Sequence, residues 1–77
     1  MKNLLEFILI HLVDHPDDVQ IEELTAEDGS IEYMLHVHKE DLGRVIGRHG
    51  NVIQSIRSIT KVRAIKENLR VRVSVAE

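Results

Sequence analysis

The feature that most constrains this chain is a four-residue interruption, Gly47-Arg48-His49-Gly50, set between two stretches of helical apolar spacing. Before it, Leu42, Val45 and Ile46 fall at i, i+3 and i+4. That spacing predicts a short helix stopping at Gly47, where a residue without Cβ leaves the helical region freely. After it, Asn51 is the predicted N-cap with Gln54 three residues on, and Val52, Ile53, Ile56 and Ile59 give a second helix its apolar stripe. The segment reads as helix, glycine turn, helix.

Such a turn has chemical content. Glycines at both ends let the backbone pass close to a ligand, and the helix that follows offers unpaired amides at its positive end, which favours a phosphate. Arg48 and His49 are expected to project outward, and Arg48 with Arg44 could hold a phosphodiester, one as a guanidinium fork and one as a nearby charge. A nucleotide-binding P-loop is excluded, because neither a Gly-Lys-Ser/Thr ending nor a strand-led Gly-x-Gly-x-x-Gly is present. An isolated Gly-x-x-Gly is better read as a plain tight turn between helices, so the surrounding chain has to decide.

The surroundings predict helix, strand, strand, helix, helix, strand, within one α/β (α+β) domain spanning residues 1–77. Leu5, Ile8, Leu9 and Leu12 recur at helical spacing over 3–14, although Leu4, Phe7, Ile10 and Val13 make that helix apolar on nearly every side. Val19 and Ile21 begin a strand whose alternation fails at Leu24, which predicts a twist or bulge before the Glu27-Asp28-Gly29-Ser30 turn. Ile31, Tyr33, Leu35 and Val37 alternate cleanly with Glu32, Met34, His36 and His38, and Leu69, Val71, Val73 and Val75 do so with Arg70, Arg72, Ser74 and Ala76. Each strand has one apolar face for helices to cover, and both Phe7 and Tyr33 fall on predicted core faces.

At 77 residues with no cysteine, stability must come from packing or from a partner, and disulfides, thiolate zinc sites and thiol catalysis are excluded. The formal charge of −3 hides a division: up to Asp41 there are two basic residues against eleven acidic, and beyond it eight basic against two acidic. That asymmetry points to one basic surface on an acidic body, or to complementarity between the two parts. Arg57, Lys61 and Arg63 on the second helix, with Arg70 and Arg72 on the last strand, extend a track of this kind or form an ordinary solvated face.

Glu6 and His11 interrupt the first apolar run, no small-x-small cleavage site follows, and the run is too short to span a bilayer, so neither an export signal nor a membrane anchor is expected. His36 and His38 share a predicted strand face with His49 nearby, but no third ligand stands at a metal-binding spacing, and no metal site is expected. His11 and His15 straddle the helix end, where cap or surface roles are expected. No paired carboxylates, Ser-His-Asp set or lysine nucleophile emerges, so no catalysis and no cofactor are expected.

The run Val45-Ile46-Gly47-Arg48-His49-Gly50-Asn51-Val52-Ile53 resembles the signature of the KH family of single-stranded nucleic-acid binding domains, an Ile-Gly-x-x-Gly loop between two helices followed by another Ile. The element order is similar to the bacterial type II KH fold, a three-stranded mixed sheet covered on one face by three helices, and the resemblance covers the whole chain. Val13-Asp14-His15-Pro16 with Asp18-Val19, and later Val37-His38-Lys39, resemble the small bacterial stand-alone KH proteins of the ribosome-associated and small-RNA-binding group.

What the resemblance implies is a non-catalytic cytoplasmic module that clamps about four nucleotides of single-stranded RNA. Gly47, Arg48, His49 and Gly50 take the loop positions, with Arg44, Val45, Asn51 and Val52 flanking. Two departures stand out. The turn matching the family's variable loop is short and carries Glu27 and Asp28, which repel phosphate unless they point away, and no aromatic platform is visible for base stacking. The resemblance also implies a homodimer, or a heterodimer with another KH-containing protein. The alternative function is accordingly that of a protein-interaction subunit with little RNA binding of its own.

Overall fold

The structure is a computed structural model describing residues 1–77. Its principal elements are α1 (Lys2–Ile10), β1 (Gln20–Thr25), β2 (Ile31–His36), α2 (Leu42–Ile46), α3 (Asn51–Lys66) and β3 (Val71–Val75), with short 3₁₀ turns at Pro16–Asp18, Lys39–Asp41 and Arg48–Gly50. The strands form one sheet in the order β1-β2-β3, with β1 antiparallel and β3 parallel to the central β2. This is the expected mixed sheet.

Alternation places Ile21, Tyr33, Leu35 and Val73 on one sheet face. Leu5 and Leu9 of α1, Val45 of α2, and Ile53 and Ile56 of α3 pack there in a single apolar cluster. All three helices therefore cover the same side. On α3 the buried positions are Ile53, Ile56, Thr60 and Ala64, one stripe at helical spacing, and the Thr60 hydroxyl donates to the Ile56 carbonyl at 2.7 Å.

Several boundaries differ from expectation for identifiable reasons. The first helix ends at Ile10, with the His11 ring bonded to the Phe7 carbonyl at 2.8 Å, because residues 14 and 15 are drawn away to a buried carboxylate described below. Phe7, expected in the core, is 60% exposed, since Leu5 and Leu9 alone define the packed stripe of α1. No bulge breaks β1: its pairing runs without a gap from Gln20↔His36 to Thr25↔Ile31, and Leu24 is exposed simply because it points to the sheet's uncovered face.

Leu69, expected to open the last strand, instead closes α3. Its amide reaches the Ala64 carbonyl at 2.8 Å, the Asn68 amide reaches Ile65 at 3.1 Å, and Asn68 adopts φ 58°. This is a Schellman stop with Asn in the left-handed position usually given to Gly. Ile59, expected within the α3 stripe, is half exposed, and Val62 and Ile65 lie on the same uncovered side.

Candidate nucleic-acid interface

The two helices around the glycine turn are held by burial on either side. Val45 is fully buried and Ile53 nearly so, which fixes α2 and the start of α3 on the sheet while the residues between them stay outside the core. Val45 was expected beside a ligand. Its complete burial makes it an anchor of the turn and removes it from any contact surface.

Gly47 ends α2 at φ 78°, and its amide donates to the Gly43 carbonyl at 2.8 Å. A Cβ there would stand 2.7 Å from the Val52 nitrogen and collide with the Val52 side chain, so this position excludes every other residue on sterics as well as on φ. Val52, half-buried, is thus the wall against which the turn closes. The turn itself is one 3₁₀ step, the Gly50 amide donating to the Gly47 carbonyl at 3.1 Å. His49 sits at φ 57°, ψ 24° and Gly50 at φ 75°, ψ 14°. A non-glycine residue in the left-handed region costs about 1–2 kcal/mol, and such strain concentrates where a chain is shaped for use.

Asn51, expected as N-cap, is instead the first residue of α3. Gly50 takes the cap position, and no side chain bonds to the amides of the first turn. No acidic residue lies in that turn either, so the positive end of a 16-residue helix faces the glycine turn uncompensated. Arg48 and His49 are exposed, and neither makes a hydrogen bond or ion pair within the chain. Gly47, Arg48, His49, Gly50, Asn51 and Val52 are therefore brought together as expected.

Arg44, the remaining flanking residue, is exposed but engaged: its Nη1 lies 3.2 Å from Asp14 Oδ1. Of the basic residues further on, Arg57, Lys61, Arg70 and Arg72 line a shallow groove of about 710 Å³ between α3 and β3, where Arg57 Nε also donates to the Val73 carbonyl at 3.0 Å. Arg63 faces elsewhere and pairs with Glu67. The acidic turn before β2 is partly neutralised. Asp28 accepts from the Ser30 hydroxyl at 2.6 Å and the Ser30 amide at 2.9 Å, and Arg70 lies 3.4 Å away. These contacts, the Ser30 hydroxyl first, hold the Asp28 carboxyl below its usual value.

At the other end of α2 lies an arrangement with no signal in local sequence. Asp41, 2% exposed, accepts the backbone amides of Asp14 and His15, each at 3.0 Å. Burial alone would push its carboxyl up, but the two amides and the neighbouring His15 and His38 rings outweigh burial and hold it below the ordinary value. β2 stops at His36, whose Nε2 meets Glu22 at 3.2 Å, so His38 leaves the sheet face the two histidines were expected to share. It stacks on His15 instead, with ring centroids 4.0 Å apart. Partners so distant in sequence carry no periodic signature, and the apolar pattern around Asp41 reveals only that a helix begins there.

The KhpA/KhpB KH-domain family profile matches residues 2–75. The chain belongs to this family. Its type II KH fold has the mixed sheet and helical face described above. The KH domain is 49% identical over 75 residues to the RNA-binding protein KhpA of Clostridium acetobutylicum, covering 97% of this chain and 99% of the relative. It is 42% identical over 78 residues to that of Halalkalibacterium halodurans, covering both chains fully. With KhpA of Chlamydia pneumoniae the identity is 38% over 77 residues, covering 100% and 97%. No solved structure gives a significant match. No helix of this KH domain is long and apolar enough to cross a membrane.

Proposed function

We propose that this chain is a non-catalytic, cytoplasmic module that binds single-stranded RNA in bacterial RNA metabolism, clamping about four nucleotides with the Gly47-Arg48-His49-Gly50 turn. One observation carries the reading: a backbone turn held at positive φ presents two unpartnered basic side chains directly before an uncapped helix end. A phosphate placed there meets the α3 amides and Arg48 together, while Gly47 lets the strand approach closely. RNA as the polymer is supported by the relatives' name, RNA-binding protein KhpA.

Arg44 joins the grip by exchanging Asp14 for phosphate. An exposed ion pair is worth at most about 1 kcal/mol, so the exchange costs little. Asn51 and Val52 form the edge along which the first nucleotide lies. Stacking contributes little, because Tyr33 is buried and Phe7 lies on the outer side of α1 against His11. With two or three phosphates neutralised, log K falls with log salt at a slope of about −0.7 per contact, and a single module binds weakly.

The test is a titration of a short random single-stranded RNA pool with the wild type and with Arg48→Asp/His49→Asp, matched for folding and oligomeric state. Binding by the wild type that falls at least roughly tenfold in the double variant supports the turn as the site. Equal binding by both, or none by either, overturns it.

A second reading is favoured by α3, which leaves Ile59, Val62 and Ile65 between 50% and 67% exposed at successive i, i+3 positions. Such a stripe suits a partner helix, so the domain would act as an interaction subunit pairing with a second copy or with another KH protein. Val62→Asp then yields a monomer in sedimentation experiments where the wild type is a dimer. A monomeric wild type, alone and mixed with a second KH protein, contradicts this reading.

A further inference from the structure

Beside the leading end of α2, three side chains converge that RNA binding at the glycine turn does not use. His15 Nε2 lies 3.0 Å from Glu40 Oε1, His38 Nδ1 lies 3.8 Å from the same oxygen, and all three donor atoms fall within 4.8 Å of one another. We propose that His15, His38 and Glu40 form a binding site for a first-row divalent cation, zinc by preference, with a fourth position left to water.

The donor set selects the ion. Two imidazoles and one carboxylate are the ligands of three-coordinate protein zinc sites that keep an open position, whereas magnesium and calcium require oxygen throughout. Glu40 pairs with no Lys or Arg; its charged contacts are the two imidazoles alone, so no fixed cation already satisfies it. All three side chains reach solvent, which gives an ion a path in.

The site is also organised in advance. Its ligands come from two segments far apart in sequence, and the buried Asp41 carboxylate staples those segments together through the amides of Asp14 and His15. Pro16 restricts the His15 backbone, while the stacked His15 and His38 rings, 22° apart in plane, have to turn about their side-chain bonds so that one ion lies in both ring planes. Zinc–nitrogen bonds of about 2.0–2.1 Å place tetrahedral donors about 3.3 Å apart, so donors now within 4.8 Å of one another have to close by up to about 1.5 Å. His38 Nδ1 must also release the Glu40 amide, now 3.0 Å away, and that exposed amide turns to water instead.

The experiment uses the full chain without a histidine tag, stripped with a chelator and titrated with Zn²⁺ by calorimetry and with Co²⁺ by visible absorption. One equivalent of Zn²⁺ should bind, raising the melting temperature with zinc concentration, and Co²⁺ should develop the intense bands of a four-coordinate site. Glu40→Gln, an exposed and nearly isosteric change, and His38→Asn should each weaken zinc binding roughly tenfold or more, with unchanged far-ultraviolet circular dichroism. His36→Asn and His49→Asn should leave it unaltered. Absence of one-equivalent binding overturns the proposal, as does wild-type affinity in either ligand variant or loss of binding in His36→Asn or His49→Asn.

Discussion

The two ends of α2, five residues apart, are built on opposite plans. At the leading end several polar groups are paired within the chain: Asp41 takes two backbone amides, the His38 ring accepts the Glu40 amide, and Asp14 meets Arg44. At the trailing end three of four residues sit at positive φ, two basic side chains have no partner, and the next helix starts uncapped. Unpaired donors are tolerable only where water or a ligand reaches them, so in the proposed reading the paired end is the mount and the unpaired end the binding surface.

The sharpest way to break this contrast is Gly47→Ala, which adds a collision with Val52 to an unfavourable φ. It should lower stability by roughly 3 kcal/mol in urea denaturation and abolish RNA binding in the folded fraction. Next is Asp41→Asn, which leaves the Asp14 and His15 amides facing a group that is half donor. It should lower the melting temperature clearly while RNA affinity per folded molecule stays nearly constant, because the trailing end is untouched. The pH dependence follows from the depressed Asp41 carboxyl. Its contribution is fully present above the ordinary carboxylate range near pH 4 and is lost as pH falls through the native value, so Asp41→Asn should flatten the acid limb of a stability-versus-pH curve.

Gly50 sharpens the contrast from the other side. Its left-handed φ is the only obstacle to a side chain, since a Cβ there meets open space. Gly50→Ala should therefore cost about 1 kcal/mol and Gly50→Asn about half of that, measured by the same denaturation. Smallest is Arg44→Gln, which removes an exposed pair with Asp14 and should change stability by no more than about 0.5 kcal/mol, while lowering the salt slope of RNA binding by about one contact.

The two ends also differ in how far sequence alone reveals them. The trailing end is local: Leu42, Val45 and Ile46 declare a helix, Gly47 stops it, and Ile53 and Ile56 declare the next, so the turn and its exposed Arg48 and His49 are legible from spacing. The strand pattern of Ile31, Tyr33 and Leu35 is legible for the same reason, and the resemblance to KH domains supplied the mixed sheet and its single helical face. The leading end is not local. Asp41 reads as one more surface acid until the fold brings residues 14 and 15 to it, and His15 and His38 meet only because β2 stops short of His38.

Finer misplacements share that origin. Asn68 in a left-handed cap looks in sequence like the lead-in to a strand, and its effect is to take Leu69 into the helix stop. Phe7 looks like core until Leu5 and Leu9 alone fill the space that the sheet offers α1. Val45 looks like a neighbour of the ligand because it adjoins the turn, whereas its burial is what holds the turn in place.

The central claim, that the trailing end of α2 is the working surface, is tested most directly by amide chemical-shift mapping of the folded protein during titration with a short single-stranded RNA. The account predicts the largest perturbations at Gly47 through Val52, with Asp14, His15 and Asp41 nearly still. Perturbations concentrated along the Arg57 to Arg72 groove or the Ile59, Val62 and Ile65 stripe, with the glycine turn silent, would contradict it.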